Sequence, residues 1–239
     1  MRKSLVAAVA GSAALAGCHA HGDSGATVSR NYQVGEFQEI EVAGPYDVEV
    51  RTGSNPGVSA QGSERLLERT EVEVEGNKLV IRSRHSGGFF HFGWGTRGSA
   101  HFVVTVPQLD AASLIGSGDI RVDKVQGQSF DGNVTGSGDL SIGTLQVQSL
   151  KLVIAGSGGM KAGSGKAQSA VYDVTGSGDI DAGSIDSPQI KASIAGSGDV
   201  HAHGGGTASV DIMGSGDAYI SGGAKCTVSK AGSGDVHCS

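Results

Sequence analysis

Several residue types on which common protein classes depend are scarce in this sequence. The 239 residues include only 4 prolines and 3 cysteines, and aromatic residues make up 5% of the chain. Because collagen-like and proline-rich chains need proline, both classes are excluded. Basic residues number 18 against 24 acidic ones, for a net charge of −6. Neither nucleic acid nor an anionic membrane surface is therefore expected as the main partner.

Glycine is the abundant residue, with 41 copies. An interior glycine costs a helix about 1 kcal/mol, so this composition argues against a helical bundle. A chain of this length is expected to contain one or two domains.

The N-terminus has the pattern of a secretion signal. Arg2 and Lys3 precede an uncharged run over residues 5–16. This run is too short to cross a bilayer core of about 30 Å. It is therefore predicted to be the apolar region of a signal peptide rather than a membrane anchor.

The end of this signal resembles the lipobox of bacterial lipoproteins. Residues 15–18 read LAGC, with small residues before a cysteine. The resemblance implies that residues 1–17 are removed as a lipoprotein signal peptide and that Cys18 is lipidated, which attaches the protein to a membrane. By similarity to enterobacterial sorting, His19 in place of Asp implies the outer membrane. The alternative is an ordinary secretory signal with a chance cysteine.

Two regions follow the signal. Residues 18–34 are small and polar without apolar periodicity, and they are predicted to form a flexible tether. Across residues 35–108 apolar and charged residues alternate, as at Val48 and Val50, which is typical of half-buried strands. The Gly-Asn pair at 76–77 predicts a tight hairpin. The sequence thus predicts an N-terminal β region at 35–108.

From residue 109 to 239 the chain repeats itself. The repeat at Gly156 reads GSGG, and the tetrapeptide GSGD recurs at intervals of 20 and then 18 residues, beginning at Gly116, Gly136, Gly176, Gly196, Gly214 and Gly232. A fixed period in this range is the signature of a solenoid or an array.

Aligned repeats have apolar columns on both sides of each glycine corner. One column lies two positions before the motif and contains Leu114, Val134, Ile154, Val174, Ile194 and Ile212. Because 20 residues cannot hold two strands and a crossover helix, each repeat is predicted to be one coil with two short strands joined at the corner. Stacked in register, these coils form a parallel β-helix, an all-β β-solenoid with coils of about 20 residues.

These motifs resemble a bacterial family described as putative auto-transporter adhesin, head GIN domain. The matching features are FQEIEV at 37–42, YDVEV at 46–50, VTVP at 104–107, the GSGD corners and AGSGDVHC at 231–238. The resemblance extends over about residues 35–239. It implies a β-helical protein that is secreted or lipid-anchored in the cell envelope.

The aspartates of the corners have three interpretations. They stack at coil spacing, where like charges repel unless hydrogen bonds or cations offset them. The favoured interpretation is that each carboxylate caps a turn by accepting backbone N–H bonds. The alternatives are a calcium ladder, with Asp179 and Asp199 as candidate ligands, and the carboxylate pair of a carbohydrate-processing enzyme. Aspartate at nearly every corner indicates a structural device, so no catalytic residue, metal or cofactor is predicted.

Histidines near the C-terminus form a second cluster. His201 and His203 alternate on one strand, and His237 shares the column of His201, with Tyr219 between them. Three histidines are a ligand set for zinc. Solvated surface is the favoured interpretation.

The scarce aromatic residues are concentrated in the glycine-rich segment 86–98, which contains Phe89, Phe90, Phe92 and Trp94. One interpretation is that this segment folds back over an open sheet edge. The other is that it forms a contact surface for a protein, a glycan or a second copy of the chain.

Cys226 and Cys238 are predicted to form a disulfide. With Cys18 taken by lipid they are the only cysteines left, and the cell envelope is oxidising. Cys226 falls in an inward column before the last corner and Cys238 in an inward column after it, so their side chains should meet inside the last coil. The alternative is two buried free thiols.

The predicted function is that of a non-enzymatic lipoprotein of the cell envelope, at the outer membrane, with an adhesion or binding role. The expected partners are the membrane, through the N-terminal lipid, and a glycan or protein ligand. Homo-oligomer formation is left open. The competing functions are a glycan-processing enzyme on a β-helix and a purely structural envelope scaffold.

Overall fold

The computed structural model describes residues 26–84 and 99–239. It is nearly all-β, with 70% strand and 2% helix, and it contains a β-solenoid of about 6 turns that lie about 20 residues apart. The strands of the described residues form one 19-stranded sheet. The predicted fold class, an all-β parallel β-helix, is confirmed.

The N-terminal part contains seven strands and one short helix: β1 (Thr27–Tyr32), β2 (Glu39–Ala43), β3 (Asp47–Thr52), β4 (Gly57–Ser63), α1 (Glu64–Glu68), β5 (Thr70–Glu75), β6 (Lys78–Ser83) and β7 (Ala100–Val106). The repeats supply the other twelve strands: β8 (Ala111–Gly116), β9 (Ile120–Gln126), β10 (Ser129–Gly136), β11 (Leu140–Gly156), β12 (Met160–Gly176), β13 (Ile180–Asp186), β14 (Gln189–Gly196), β15 (Val200–His203), β16 (Thr207–Gly214), β17 (Ala218–Ser221), β18 (Lys225–Gly232) and β19 (Val236–Cys238).

Each full coil turns at three places, not at the glycine corner alone. In β11, pairs of successive exposed residues at 143–144 and 148–149 interrupt the alternation of buried and exposed positions. Between these bends lies a short third face, on which Leu145 and Val147 are buried. The prediction of two strands per coil is therefore corrected to three faces. The third face does have an apolar column, formed by Val125, Leu145 and Ile185, which Gly165 interrupts in the coil of β12.

The change of period from 20 to 18 residues affects only this third face. β13 and β15 pair in register up to Ala182 and Ala202, and then Asp186 lies opposite His203. Register returns on the following face, where Gln189 lies opposite Thr207. The glycine corners therefore stay aligned although the coil has lost two residues.

The stack of coils continues into the N-terminal part of the chain. β2 and β3 pair in parallel with β8 and β9, and β6 and β7 pair in parallel with β2 and β3 on the other side. Gly44, with φ of 140°, takes the place of the first corner glycine. Its N–H donates to the carbonyl of Ile115 at 2.9 Å. Residues of the region 35–108 thus form coils of the same stack.

Two elements close the N-terminal end of the core. β5 and β6 form the predicted antiparallel hairpin, with Gly76 at φ of 66°. Leu66 and Leu67 of α1 are buried. Tyr46 is fully buried, and its hydroxyl lies 3.1 Å from Thr70 Oγ1, which donates to the carbonyl of Leu66 at 2.8 Å. The end of the apolar core is therefore covered by α1 and its neighbours.

Part of the predicted tether is folded. β1 lies within residues 18–34 and pairs antiparallel with β4. Its alternate residues are half-buried: the Arg30 guanidinium donates to the carbonyl of Leu67 at 3.2 Å, and Tyr32 stacks on Phe102. The tether prediction is wrong for Thr27–Tyr32, because a strand with one polar face and so few apolar residues shows no clear apolar periodicity.

The coil that contains β12 combines small inward residues with one large one. Ala162, Ala167 and Ala170 are buried there, and so is the much larger Tyr172. Burial raises the pKa of Tyr172. The hydroxyl of Ser187 is also buried, and its interaction with the Tyr172 hydroxyl offsets part of this rise in pKa.

The C-terminal end of the solenoid is more open. Val228 is 46% exposed, whereas Val210 in the same inward column is fully buried. Lys230 replaces the apolar residue of its column, and its ammonium donates to the carbonyl of Gly234 at 3.0 Å and to Asp235 at 2.9 Å. Within the described residues, no helix has the length and apolar character needed to cross a membrane.

Candidate functional site

Two glycine columns build the corners. The first glycine of each repeat has φ between 124° and 141°, a region that favours glycine. The second glycine lies directly against the preceding coil, so that a Cβ at its position would be 1.9–2.1 Å from a carbonyl oxygen of that coil. Within the repeats, glycine in both columns therefore allows the corners to stack at strand spacing.

The aspartate that follows each corner connects one coil to the next. Its Oδ1 accepts the backbone N–H of the residue at the same position in the following coil, at 2.7–3.2 Å; the acceptors are Asp119, Asp139, Asp179, Asp199 and Asp217. The carboxylates thus accept backbone N–H bonds, as the capping interpretation predicts. The donor belongs to the next coil rather than to the same turn. We call this arrangement the aspartate ladder.

The two candidate calcium ligands are successive members of the aspartate ladder. Asp179 Oδ1 accepts from the N–H of Asp199, and Asp199 Oδ1 accepts from the N–H of Asp217, both at 2.8 Å. Within residues 26–84 and 99–239 no group of three or more His, Cys, Asp or Glu side chains could hold a metal ion. One oxygen of each carboxylate is already bonded to the backbone, and the calcium ladder stays the alternative interpretation of this column.

The histidine cluster forms a stack of rings. His201 and His237 lie on either side of Tyr219, with ring centroids 4.6 and 4.9 Å apart and planes within 9° of parallel. The carboxylate of Asp217, 3.3 Å from the Tyr219 hydroxyl, raises the pKa of Tyr219. Because Tyr219 separates the two imidazoles, this geometry does not bring the three histidines together around one zinc ion.

The predicted disulfide between Cys226 and Cys238 is confirmed. The sulfur atoms are 2.03 Å apart and the Cα atoms 6.6 Å apart. The bond joins β18 to β19, the two strands of the last corner. It therefore closes the last coil that the structure describes.

A shallow groove crosses four coils on the face formed by β12, β14, β16 and β18. Its volume is about 450 Å³. Two outward rows line it; the first contains Ser169, Gln189, Thr207 and Lys225, and the second contains Val171, Lys191, Ser209 and Thr227. Among the described residues that line it, none is acidic or aromatic. We call this surface the lysine groove.

Sequence reasoning did not select the lysine groove, although a signal was present. Aligned repeats place Lys151, Lys191 and Lys225 on alternate coils at outward positions. Outward columns vary from repeat to repeat, so the apolar and glycine columns dominate the pattern. Only the strand register shows that these side chains share one surface.

The remaining predicted site residues cannot be placed. Cys18 and the aromatic residues Phe89, Phe90, Phe92 and Trp94 lie outside the described residues. The aromatic segment is nevertheless located in the topology, because it connects β6 to β7. In the neighbouring coil the same connection, from β2 to β3, is the corner that begins at Gly44.

The corners, the aspartate ladder and the covered N-terminal end define a class of protein, a β-solenoid with glycine corners and stacked polar columns. Residues 36–224 match the family described as "Putative auto-transporter adhesin, head GIN domain", and the chain belongs to this family. The predicted family is therefore confirmed.

Solved structures share this fold. A protein described as a putative adhesin from Bacteroides fragilis is 24% identical with a TM-score of 0.76, over 89% of this chain and 97% of that one. One described as a putative lipid binding protein from Parabacteroides distasonis is 23% identical with a TM-score of 0.70, over 89% and 96%. A putative adhesin from Parabacteroides merdae is 19% identical with a TM-score of 0.68, over 89% and 96%. None of the curated proteins matches the chain.

Proposed function

We propose that the chain is a non-enzymatic binding protein of the bacterial cell envelope. Lipid on Cys18 anchors it at the outer membrane, and the solenoid presents its outer faces to a ligand. The family description and the descriptions of the solved relatives, as adhesins or as a lipid binding protein, support a binding role. The observation that carries the proposal is the lysine groove, an open concave surface on which lysine, hydroxyl and amide groups lie beside apolar side chains such as Val171 and Ile190.

The arrangement of the carboxylates supports binding over glycan cleavage. A glycosidase needs two carboxyl groups that face each other across the scissile bond. In the aspartate ladder one oxygen of each acceptor carboxylate is bonded to the backbone of the next coil instead. The described lining of the lysine groove contributes no carboxylate.

The aromatic segment is proposed as a second contact surface. In sequence it lies between β6 and β7. Aromatic side chains are enriched among the residues that dominate binding energy at interfaces. Replacement of Phe90 and Trp94 by Ser should therefore weaken binding or self-association while the solenoid stays folded.

The anchor is tested by fractionating cells that produce the full-length protein. Two or more acyl chains hold a protein firmly at a membrane, so the unaltered chain should sediment with the membranes. Cys18→Ala should move most of it to the soluble fraction. The control, Cys226→Ala with Cys238→Ala, removes the other two cysteines and should stay with the membranes. Membrane retention of the Cys18→Ala variant would contradict the lipid anchor.

The binding role is tested by presenting glycan arrays and solubilised envelope proteins to the full-length chain in detergent. A reproducible ligand supports the proposal. If no ligand binds in either assay, a purely structural scaffold becomes the better description of the protein.

A further inference from the structure

We propose that the lysine groove binds an extended acidic polysaccharide with one carboxylate on every second sugar. This inference rests on the proposed binding function and names its ligand class. The groove crosses parallel strands, which lie about 4.8 Å apart, so a chain lying in it runs across successive coils. Its four coils give it the shape of an open trough rather than a closed pocket.

The cations of the groove lie on alternate coils. Lys191 and Lys225 are two coils apart and lie in neighbouring rows, two positions apart along the strand. Lys151 lies two coils from Lys191 in the same row, beyond the lining of the groove and opposite Asp131. Two coils measure about 9.5 Å, and the shift between the rows adds about 6.7 Å along the strand, so the backbones of Lys191 and Lys225 are about 12 Å apart. Long lysine side chains at this separation reach anions at the spacing of an extended disaccharide. Within the described part of the chain, none of these three lysines forms an ion pair, whereas Lys78, Lys161 and Lys230 each do. Their charges are therefore available to an anion.

The groups between the lysines suit sugar hydroxyls. Ser169, Gln189 and Thr207 form one row, and Ser209 and Thr227 belong to the other. Hydroxyl and amide side chains both donate and accept hydrogen bonds, as sugar hydroxyls do. The described lining offers no aromatic ring on which a nucleobase could stack. A hydroxyl-rich chain with sparse charge fits this surface better than a nucleic acid.

Carboxylates lie beside the groove on the coils between its lysines. Asp173 lies two residues beyond Val171 on the same strand, and Asp211 lies two beyond Ser209. Both occur on coils that have no lysine in the groove. A polymer with a charge on every unit would bring some of its anions close to these carboxylates, and like charges repel. The spacing therefore favours a polymer that is charged on alternate units.

The test measures binding of the full-length protein in detergent to hyaluronan oligosaccharides, which have one carboxylate per disaccharide. Lys191→Gln with Lys225→Gln should lower the affinity at least tenfold. The control, Lys124→Gln with Lys166→Gln, makes the same change of net charge outside the groove and should lower it less than twofold. Circular dichroism and an intact disulfide verify that both variants are folded.

Competitors identify the ligand class. Neutral dextran should not compete with hyaluronan, and heparin, inorganic polyphosphate and phosphatidylglycerol vesicles should compete more weakly than unlabelled hyaluronan. The proposal is overturned if hyaluronan does not bind, if both double variants bind equally, or if a dense polyanion, single-stranded DNA or vesicles bind better than hyaluronan. Binding of a protein or a neutral glycan elsewhere would leave the general binding function in place while refuting this assignment.

Discussion

At Gly159 the aspartate ladder has no side chain to continue it. Asp139 Oδ1 accepts the N–H of Gly159 at 2.7 Å, but Gly159 offers no carboxylate to the N–H of Asp179 in the next coil. A Cβ at this position would lie 3.0 Å from Asp139 Oδ1 and no closer than 3.9 Å to the coil above. The backbone at Gly159 is therefore compatible with the aspartate that the other corners contain.

Gly159→Asp should stabilise the protein by completing the ladder. The new carboxylate gains the N–H of Asp179, and the repulsion from Asp139 and Asp179 offsets part of the gain, which leaves about 1 kcal/mol. Gly159→Ala adds the Cβ without the carboxylate and is the matched control. Chemical denaturation should rank Asp above Ala, with a larger difference at high salt because salt screens the repulsion. A variant with Asp that is less stable than the Ala control at high salt would contradict this account.

The second glycine of a corner should not tolerate even one methyl group. A Cβ on Gly178 would be 2.1 Å from the carbonyl oxygen of Gly158, so one of the two coils must move. Gly178→Ala should lower the free energy of unfolding by about 3 kcal/mol. Gly183 is the control, because the nearest atom to its Cβ is 3.7 Å away. Equal midpoints for the two alanine variants in urea would show that the corners are not close-packed.

At the scale of the elements, the strands that could be predicted from the sequence are those whose residue pattern recurs in successive repeats. The glycine corners and the apolar columns beside them recur in nearly every coil, and they predict the strands that the structure contains. The third face was missed although Val125, Leu145 and Ile185 form a buried column there, because Gly165 interrupts this column and the columns beside the glycine corner dominate the pattern.

The disulfide is expected to stabilise the last corner, which β18 and β19 form, rather than the whole solenoid. Val228 is 46% exposed, so β18 and β19 bury less apolar surface than the coils before them. Closing this short loop contributes about 3 kcal/mol. Reduction, or Cys226→Ala with Cys238→Ala, should lower hydrogen-exchange protection in β18 and β19 while β10 to β12 keep theirs, because each coil contacts only its neighbours. A uniform loss of protection across all coils would contradict this local role.

At the scale of the whole molecule, the two ends of the stack differ. α1 with Leu66 and Leu67 covers the N-terminal end, whereas Lys230 and the disulfide limit the exposure of the other end. The sequence predicted the C-terminal arrangement because both cysteines fall in inward columns. It could not predict that β2 and β3 form a coil of the same stack, because their corner begins at Gly44 but has Tyr46 where the repeats have a second glycine.

The lysine groove is likewise a property of the assembled stack. No single repeat contains more than one of its lysines, and the residues between them vary in type. Their common surface follows from strand register, which pairs residues 18 or 20 positions apart. Once the period is known, that register can be predicted. The shape of the groove could not be predicted, because it depends on the sizes of side chains in several coils at once.

The connection between β6 and β7 has a practical consequence. It is much longer than the corner of the neighbouring coil, yet Arg82 still lies opposite Ala43, and His101 still lies opposite Asp47. An insertion at a terminal corner therefore leaves the backbone hydrogen bonds of the stack unchanged. A foreign peptide could be grafted there, and a second one at the last corner, with the number of repeats setting the distance between them. Such a solenoid would act as a spacer, and each added or removed repeat would change its length by the distance between neighbouring strands.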